Sequence, residues 1–343
     1  MNKLLTLLGA VFFVSAVSAA DNTCRKGNVV HMPNSVPSQF YWPTGWNENT
    51  TAPKLAAFQD CSWTVTVPKG FYAKIIIDGK VTGKDSRFQM IDSAGNLIQS
   101  THEKKDPYYF PPAKFTLVVS NEDAGTFAFK ILWAPIPTQP SSINGVGGIP
   151  RLENATNQIY NSYYDTSDAL SLLIFPEDIH NALHLRSVLL FEANGQNDAT
   201  FISNLNQVFK TGQQYVATGG SIQLVNVEVS NAMDYYLIQE YDLVKDNHQY
   251  KALECNPNSN CTITVDSGKK QSAVVTVPHG NETLVDVQMD PAANITVYYG
   301  SQNNFGLDKI YTGATIKAAL PIKCSWVTQF VVSSGKAVFN FLT

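Results

Sequence analysis

An all-β protein built of tandem antiparallel β-sandwich modules is the fold class that the sequence predicts. Short runs of alternating apolar residues, separated by turn residues, follow one another along the 343 residues, and this is the pattern of half-buried strands. A strand, a serine-containing turn and an aromatic-rich strand also recur in that order. Because one sandwich takes about 100 residues, the chain has room for three.

The composition favours a globular protein that does not bind polyanions. Apolar residues make up 44% of the chain, which is ample for packed cores, and charged residues make up 15%. A typical protein has about 25% charged residues. With a net charge of -4 and no basic cluster, we expect neither nucleic-acid binding nor attachment to an anionic membrane surface.

Residues 1–20 have the features of a secretory signal peptide. Lys3 precedes an apolar run from Leu4 to Val14, and the small residues Ser18 and Ala19 mark a cleavage site. The run is too short for a membrane span, and no later segment reaches 18 apolar residues. We expect an extracellular, secreted protein without a membrane span.

Sequons and cysteines agree with export. Five Asn-x-Ser/Thr sites predict a glycoprotein: Asn49, Asn154, Asn260, Asn281 and Asn294. Five cysteines, an odd number, follow the signal peptide: Cys24, Cys61, Cys255, Cys261 and Cys324. Most should pair in an oxidising compartment. We favour a Cys255–Cys261 bridge across a turn-rich stretch, with Cys324 unpaired; the rival pairings join Cys324 to either of the other two.

The first module is predicted over residues 21–135. "CSWTVTVP" and "FYAKIIID" form a β-hairpin around the Pro68-Lys69-Gly70 turn. Two short strands flank residues 93–96, and "FTLVVSNEDAGTFAFKIL" is predicted as a closing hairpin with Gly125 near its turn. Residues 136–150 are rich in Pro, Gly and Ser and are predicted as a linker.

Strand patterns resume after the linker. We predict a second module over 151–245 and a third over 246–343, with 151–343 as a single unit the alternative. One short helix is predicted between Asp198 as N-cap and Gly212 as C-cap. A loose internal repeat supports three modules: "CSWTVTV" at Cys61 resembles "CTITV" at Cys261, and the endings "VVSNEDAGTFAFKIL", "VEVSNAMDYYLIQEY" and "FVVSSGKAVFNFL" resemble one another.

The order of motifs in the first module resembles a CUB domain, and more particularly the nematode secreted CUB-like family. The residues that carry this resemblance are, in order, Cys24, a loop with Pro43, Cys61-x-Trp63, Pro68-x-Gly70 and the closing "SNEDAGTFAFKI", over about residues 24–132. The resemblance implies an antiparallel sandwich and a Cys24–Cys61 bridge, worth about 4 kcal/mol in the chain-entropy model. It also implies an inducible, non-enzymatic role in nematode innate defence or stress response.

Calcium binding is not expected, although many CUB domains bind this ion. Asp85 and Asp92 lie in the middle stretch, but neither aligns with a ligand position, and Ca²⁺ needs six to eight oxygens. The segment also departs from the usual pattern because no cysteine lies between Cys61 and Cys255. We therefore expect no metal or other cofactor.

Catalytic motifs are weak throughout. His180 and His184 have the i, i+4 spacing of a metal pair, but Asn181 stands where a metalloprotease has Glu. Ser221 lacks the final Gly of a nucleophile elbow, and no phosphate-binding or dinucleotide fingerprint occurs. A binding protein is the favoured hypothesis; an extracellular hydrolase with an unfamiliar site is the alternative.

Two aromatic clusters are the candidate contact surfaces. "FYWPTGW" contains Trp42 and Trp46, and "DPYYFPP" contains Tyr108 and Tyr109. Exposed aromatic rings stack on sugars or anchor protein interfaces, so the partner would be an extracellular protein or a glycan, for example on a microbial surface. In the alternative, these rings are buried against the edges of the sandwich.

Overall fold

A computed structural model describes residues 22–138, 141–193, 199–279 and 282–343. The predicted signal peptide, the predicted helix cap Asp198 and the sequon at Asn281 lie outside these ranges. Strands dominate the described chain, and they form six sheets stacked in three pairs. The predicted all-β class of tandem sandwiches is confirmed.

The first sandwich contains eleven strands in two sheets. They are β1 Asn28–Val30, β2 Gln39–Trp42, β3 Lys54–Leu55, β4 Gln59–Thr66, β5 Phe71–Lys80, β6 Arg87–Ile91, β7 Leu97–Ser100, β8 His102–Lys104, β9 Tyr108–Phe110, β10 Lys114–Asn121 and β11 Gly125–Pro135. One sheet has the order β1-β4-β10-β6-β7 and the other β2-β11-β5-β8, with β3 beside β11 and β9 beside β5.

The second sandwich contains nine strands and one α-helix. The strands are β12 Ser141–Gly145, β13 Arg151–Asn154, β14 Tyr160–Asp165, β15 Leu170–Phe175, β16 Val188–Ala193, β17 Ala199–Asn204, β18 Tyr215–Ala217, β19 Ser221–Asn226 and β20 Tyr235–Glu240. Helix α1 is Leu205–Lys210, and 3-10 helices occur at Leu183–Ser187 and Tyr241–Leu243. The sheet orders are β12-β14-β19-β16-β17 and β13-β20-β15-β18.

The third sandwich also contains nine strands. They are β21 Asn247–Ala252, β22 Asn260–Asp266, β23 Gln271–Thr276, β24 Thr283–Gln288, β25 Asn294–Tyr299, β26 Leu307–Thr312, β27 Ile322–Lys323, β28 Thr328–Val332 and β29 Lys336–Leu342, with a 3-10 helix at Ile316–Ala318. The sheet orders are β21-β23-β28-β25-β26 and β22-β29-β24-β27.

One topology is used three times. In each sandwich the first strand pairs in parallel with the next strand of its own sheet, as β1 with β4, β12 with β14 and β21 with β23. The last two strands always lie in different sheets. The similar sequence endings at 118–132 and 330–342 fall on these two strands, whereas the ending at 227–241 begins just after β19 and covers only β20. The other similarity does not align, because Cys61 lies in β4 and Cys261 in β22, which have different places in the topology.

The two predicted hairpins of the first module are wrong. β4 and β5 lie in opposite sheets, as do β10 and β11. β4, β5 and β10 alternate buried with half-buried or exposed residues, and β11 does so after the buried run Phe127–Phe129, so each turns one face to the interior. At Pro68-Lys69-Gly70, where Gly70 has a positive φ of 84°, the chain crosses from one sheet to the other. Alternation is the same for a strand paired in a hairpin and for one facing its neighbour across a sandwich.

The structure also revises two local predictions after residue 135. β12, at 141–145, lies inside the stretch predicted as a linker and pairs in parallel with β14. The predicted helix begins later than expected, because residues 199–204 form β17. Asn204 is the N-cap, and its side chain accepts a hydrogen bond from the Gln207 backbone nitrogen.

Two disulfides tie chain segments to core strands. Cys24 is bonded to Cys61, with Cα atoms 5.7 Å apart, and Cys61 is fully buried beside Trp63 in β4. Cys255 is bonded to Cys261, with Cα atoms 5.9 Å apart. Cys324 is free, and burial raises the pKa of its thiol to about 12, which keeps the thiol protonated and unreactive at neutral pH.

Removing the Cys24–Cys61 disulfide should lower the free energy of unfolding more than removing the Cys255–Cys261 disulfide. We expect the Cys24→Ala, Cys61→Ala double variant to lose about 4 kcal/mol, because the bridge closes a long loop, and the Cys255→Ala, Cys261→Ala control to lose about 2 kcal/mol. Urea unfolding followed by tryptophan fluorescence measures the first loss, since Trp42, Trp46, Trp63 and Trp133, four of the five tryptophans, lie in the first sandwich. Far-ultraviolet circular dichroism, which follows the sheets of all three sandwiches, measures the loss in the control. Equal shifts in the two variants would contradict the prediction.

Candidate functional site

The second sandwich is packed against a neighbour on each side. All six residues of β15 are buried, and Leu173 and Phe175 pack with Tyr250 and Val275 of the third sandwich. On the other side, Leu189 and other residues of the second sandwich form a cluster with Tyr109 of the first. The three sandwiches therefore share apolar interfaces, and grooves form where their rims meet.

Polar contacts complete the interface between the first and second sandwiches. The Lys74 ammonium lies 2.5 Å from Glu228 Oε2, and the Tyr109 hydroxyl donates to the same carboxylate. Farther along, Asn96 Nδ2 donates to the Ile202 carbonyl oxygen over 2.7 Å. These contacts hold the β7–β9 edge of the first sandwich beside the short helices of the second.

A cavity of about 350 Å³ lies between this edge and those helices. Residues 98–108 line it from the first sandwich. The 3-10 turn Leu183–Ser187 and helix α1 line it from the second, where Asn206 Nδ2 of α1 donates to the Ala182 carbonyl oxygen over 2.6 Å and joins the two short helices. The cavity has the size of a small-ligand site, and we take it as the candidate functional site.

A buried arginine forms the cationic part of this site. Arg186 is only 8% exposed, and its guanidinium carbon lies 3.7 Å from the centre of the Tyr108 ring. The Tyr108 hydroxyl donates to Glu103 Oε1 over 2.8 Å. The guanidinium thus stacks on an aromatic face, while its Nη1 atom has no hydrogen-bond partner.

Burial shifts the pKa values of the charged groups around the cavity. It raises the pKa of Glu103, against the opposing effects of the Tyr108 hydrogen bond and the Arg186 charge. It lowers the pKa of Lys210, and the positive charge of Arg186 adds to this shift. Arg186 and Lys210 therefore repel each other. Burial also disfavours the charged form of Glu103, the nearby carboxylate that could balance them.

A second cavity, of about 190 Å³, lies beside the first and is lined by His184, one of the two histidines with the spacing of a metal pair. His184 Nδ1 lies 4.0 Å from Asp234 Oδ2. That carboxylate is buried, and its Oδ1 accepts a hydrogen bond from the Glu177 backbone nitrogen over 3.0 Å. Within the described residues, no hydroxyl or thiol hydrogen-bonds to the His184 ring, and such a contact is the geometric signature of an activated nucleophile.

Comparison with protein families gives one match. The sequence model described as "CUB-like domain" matches residues 19–137. The chain contains a CUB-like domain. This domain is the first sandwich, so the β7–β9 edge of the cavity belongs to it, and the resemblance to CUB domains in general is confirmed. No curated protein matches the chain by sequence.

Two solved structures show a distant likeness. The CUB1-EGF-CUB2 domains of rat MASP-1 are 8% identical with a TM-score of 0.26, covering 62% of this chain and 100% of that one. The full extracellular region of zebrafish Gpr126/Adgrg6 is 10% identical with a TM-score of 0.25, covering 94% of this chain and 53% of that one. Likenesses of this size carry no argument about function.

The four aromatic residues predicted as ligand contacts are mainly inside the protein. Trp42 is half-buried and packs edge-on against Trp63 and at a tilt against Phe127, at the core of the CUB-like domain, and Trp46 is 6% exposed. Tyr108 and Tyr109 are also buried, where each lines one of the two cavities at the edge of the domain. All four rings are therefore buried or half-buried by packing within the protein. We propose no exposed aromatic surface here.

The remaining sequence candidates have structural or surface positions. Asn49, Asn260 and Asn294 are exposed, and Asn154 is half-buried. Asp92 accepts hydrogen bonds from the backbone nitrogens of Ala94 and Asn96 and so caps the β6–β7 turn. In the described ranges, no cluster of three or more His, Cys, Asp or Glu side chains could hold a metal ion.

No helix within the ranges that the structure describes is long and apolar enough to cross a membrane.

Sequence reasoning missed Arg186 and Lys210, which define the charge of the cavity. Neither residue lies in a motif or a basic cluster. The available signal was weak: Arg186 stands in "HLRSVLLF", between Leu185 and an apolar run that starts at Val188, and such neighbours favour partial burial. Only the packing of two sandwiches brings it over Tyr108.

The Glu103→Gln variant should remove a pH-dependent loss of stability. Because burial raises the pKa of Glu103 above its ordinary value of 4.5, the folded protein retains this proton longer than the unfolded chain. Stability is therefore lost as pH rises from that value through the raised pKa. Glutamine keeps an acceptor for the Tyr108 hydroxyl but has no charge. We expect thermal midpoints from pH 4 to 7 to fall less steeply in Glu103→Gln than in the wild type.

Asp123→Asn is the matched control, since Asp123 is an exposed carboxylate of the same sandwich. Its midpoints should follow those of the wild type. If the thermal midpoints of Glu103→Gln fall with pH as steeply as those of the wild type, burial does not raise the pKa of Glu103 as predicted.

Proposed function

We propose that the protein is a secreted, non-enzymatic glycoprotein that binds an extracellular ligand in the groove between its CUB-like domain and its second sandwich. CUB domains are typically non-catalytic binding modules, and a CUB-like fold with disulfides is typical of extracellular proteins. The observation that carries the proposal is the 350 Å³ cavity at this domain junction, with a buried, unsatisfied guanidinium in its wall.

The biological role we propose is recognition in innate defence or stress response. Its support is the resemblance of the first domain to the nematode secreted CUB-like family, together with the predicted signal peptide and sequons. A microbial or epithelial surface glycan or protein would be the partner. The His184–Asp234 contact does not support a reaction, because both oxygens of Asp234 accept hydrogen bonds from its own sandwich, from Glu177 and Thr156.

A glycan placed at the mouth of the cavity should block binding. Gln99 is exposed, lines the cavity and lies two residues before Thr101, so Gln99→Asn creates a sequon there. We expect the wild-type protein, secreted from glycosylating cells, to be retained on bacterial cells or on intestinal extracts. The Gln99→Asn glycoform should lose that retention, and trimming with an endoglycosidase should restore it.

Lys270→Asn supplies the control. Lys270 is exposed in a turn of the third sandwich, and Ser272 completes the new sequon there. This glycoform should bind as the wild type does. Absence of wild-type retention on both surfaces would overturn the proposed role, and full retention of the Gln99→Asn glycoform would move the binding site away from this groove.

A further inference from the structure

We propose that the cavity between the CUB-like domain and the second sandwich is a subsite for a carboxylate group, carried by an acidic sugar and bound by Arg186 with Lys210. This inference rests on the proposed function, because it assigns a chemical class to the ligand of the same groove. Four observations support it: an unsatisfied guanidinium, an excess of cations, the shape of the cation, and a polar lining.

Arg186 has hydrogen-bonding capacity that the protein leaves unused. The side chain is more than nine-tenths buried and lines the cavity, and Nη1 has no partner. Within the described residues, no carboxylate lies within ion-pair distance of this guanidinium. A buried charged donor without an acceptor is costly, so an anion that entered the cavity would remove an existing penalty.

The charges around the cavity favour an anion over a cation. Lys210 lines it beside Arg186, and their mutual repulsion contributes to the lowered pKa of the lysine. Glu103 is the buried carboxylate on the opposite wall, and one of its oxygens is occupied by the Tyr108 hydroxyl. Lys104 and Asp106, at the rim, carry opposite charges. One added negative charge would therefore be attracted by both Arg186 and Lys210.

The geometry of Arg186 suits an anion that presents two acceptor oxygens side by side. Tyr108 covers one face of the guanidinium, which leaves the N–H groups along its edge as the donors for a ligand. A carboxylate matches such an edge with two parallel hydrogen bonds. A lysine ammonium is a point charge, so it would attract an anion without fixing the direction of two hydrogen bonds.

The rest of the lining suits a sugar ring. Ser100, Asn204 and Gln207 give the same cavity a polar lining, and Leu183 contributes an apolar patch. The Asn204 amide is itself hydrogen-bonded to Gln207, and the Ser100 hydroxyl to the His102 carbonyl oxygen. Ring hydroxyls pair with side chains of this kind, and the volume of about 350 Å³ exceeds the space that a carboxylate alone would fill. Together these features point to an acidic monosaccharide unit.

Isothermal titration calorimetry of the complete mature glycoprotein tests the assignment. The probes are sodium glucuronate, glucose as the neutral ring and inorganic phosphate as a non-planar oxyanion. We expect binding of glucuronate, no measurable binding of glucose and weaker binding of phosphate. Arg186→Gln should lower the glucuronate affinity at least about tenfold, since charge-assisted hydrogen bonds are lost. Lys210→Gln should lower it several-fold.

Lys309→Gln is the matched control, because the Lys309 ammonium also lies over a tyrosine ring, that of Tyr311 in the third sandwich, at 5.2 Å. Its affinity for glucuronate should be unchanged. Near-ultraviolet circular dichroism checks that each variant is folded. If Arg186→Gln does not fold, Arg186→Lys replaces it, and this variant should also bind more weakly because the planar fork is lost.

Three results would overturn the inference: glucuronate that binds no better than glucose, phosphate that binds more tightly than glucuronate, or glucuronate binding that neither variant weakens. Each is distinguishable from failure of the proposed function. Retention on cells without glucuronate binding would remove only the carboxylate assignment, whereas glucuronate binding without retention on either surface would remove the defence role and leave the subsite.

Discussion

Burial of both faces of the central strands in the second and third sandwiches determines how the three sandwiches of this protein are arranged. In the first sandwich, β4 and β10 alternate buried with half-buried or exposed residues, as expected for sheets with one solvated face. In the second and third, β15 and β28 are buried at every position. A strand of this kind needs apolar partners on both sides, and the neighbouring sandwich provides the second. The grooves at the junctions follow from that requirement.

The size of the apolar contact shows why it dominates. The cluster between the first and second sandwiches contains six buried residues, among them Leu189, Phe191 and Val225. Full burial of one such side chain is worth about 1.5–3 kcal/mol, so the cluster contributes on the order of 10 kcal/mol. The Lys74–Glu228 pair, with Glu228 42% exposed, adds about 1 kcal/mol at most. Packing therefore sets the relative position of the sandwiches, and the ion pair adjusts it.

The sequence predicted strands and turns well but not their partners. The turn at residues 93–96 and the endings at 118–132 and 330–342 lie where expected, because turn residues and alternation are local signals; the ending at 227–241 contains only its second strand, β20. The strands β4 and β5 were predicted to pair, and they face each other across a core. Local periodicity records which face is buried and does not record what buries it. The unbroken apolar run "LLIF" in β15 did contain the missing information, since continuous apolar strands are typical of two-sided burial.

The candidate site could not be predicted either, because local sequence patterns do not record which distant residues come together. Tyr108 and Tyr109 were noticed as aromatic residues, but their role depends on Arg186 and Glu228, about 80 and 120 residues away. Since the walls of the cavity come from two sandwiches, ligand binding and docking of the sandwiches are thermodynamically linked. A ligand at a hundred times its Kd would stabilise the docked arrangement by about 2.7 kcal/mol. That is more than the interfacial ion pair contributes and less than the apolar cluster, so a ligand would tighten a junction that packing has already formed.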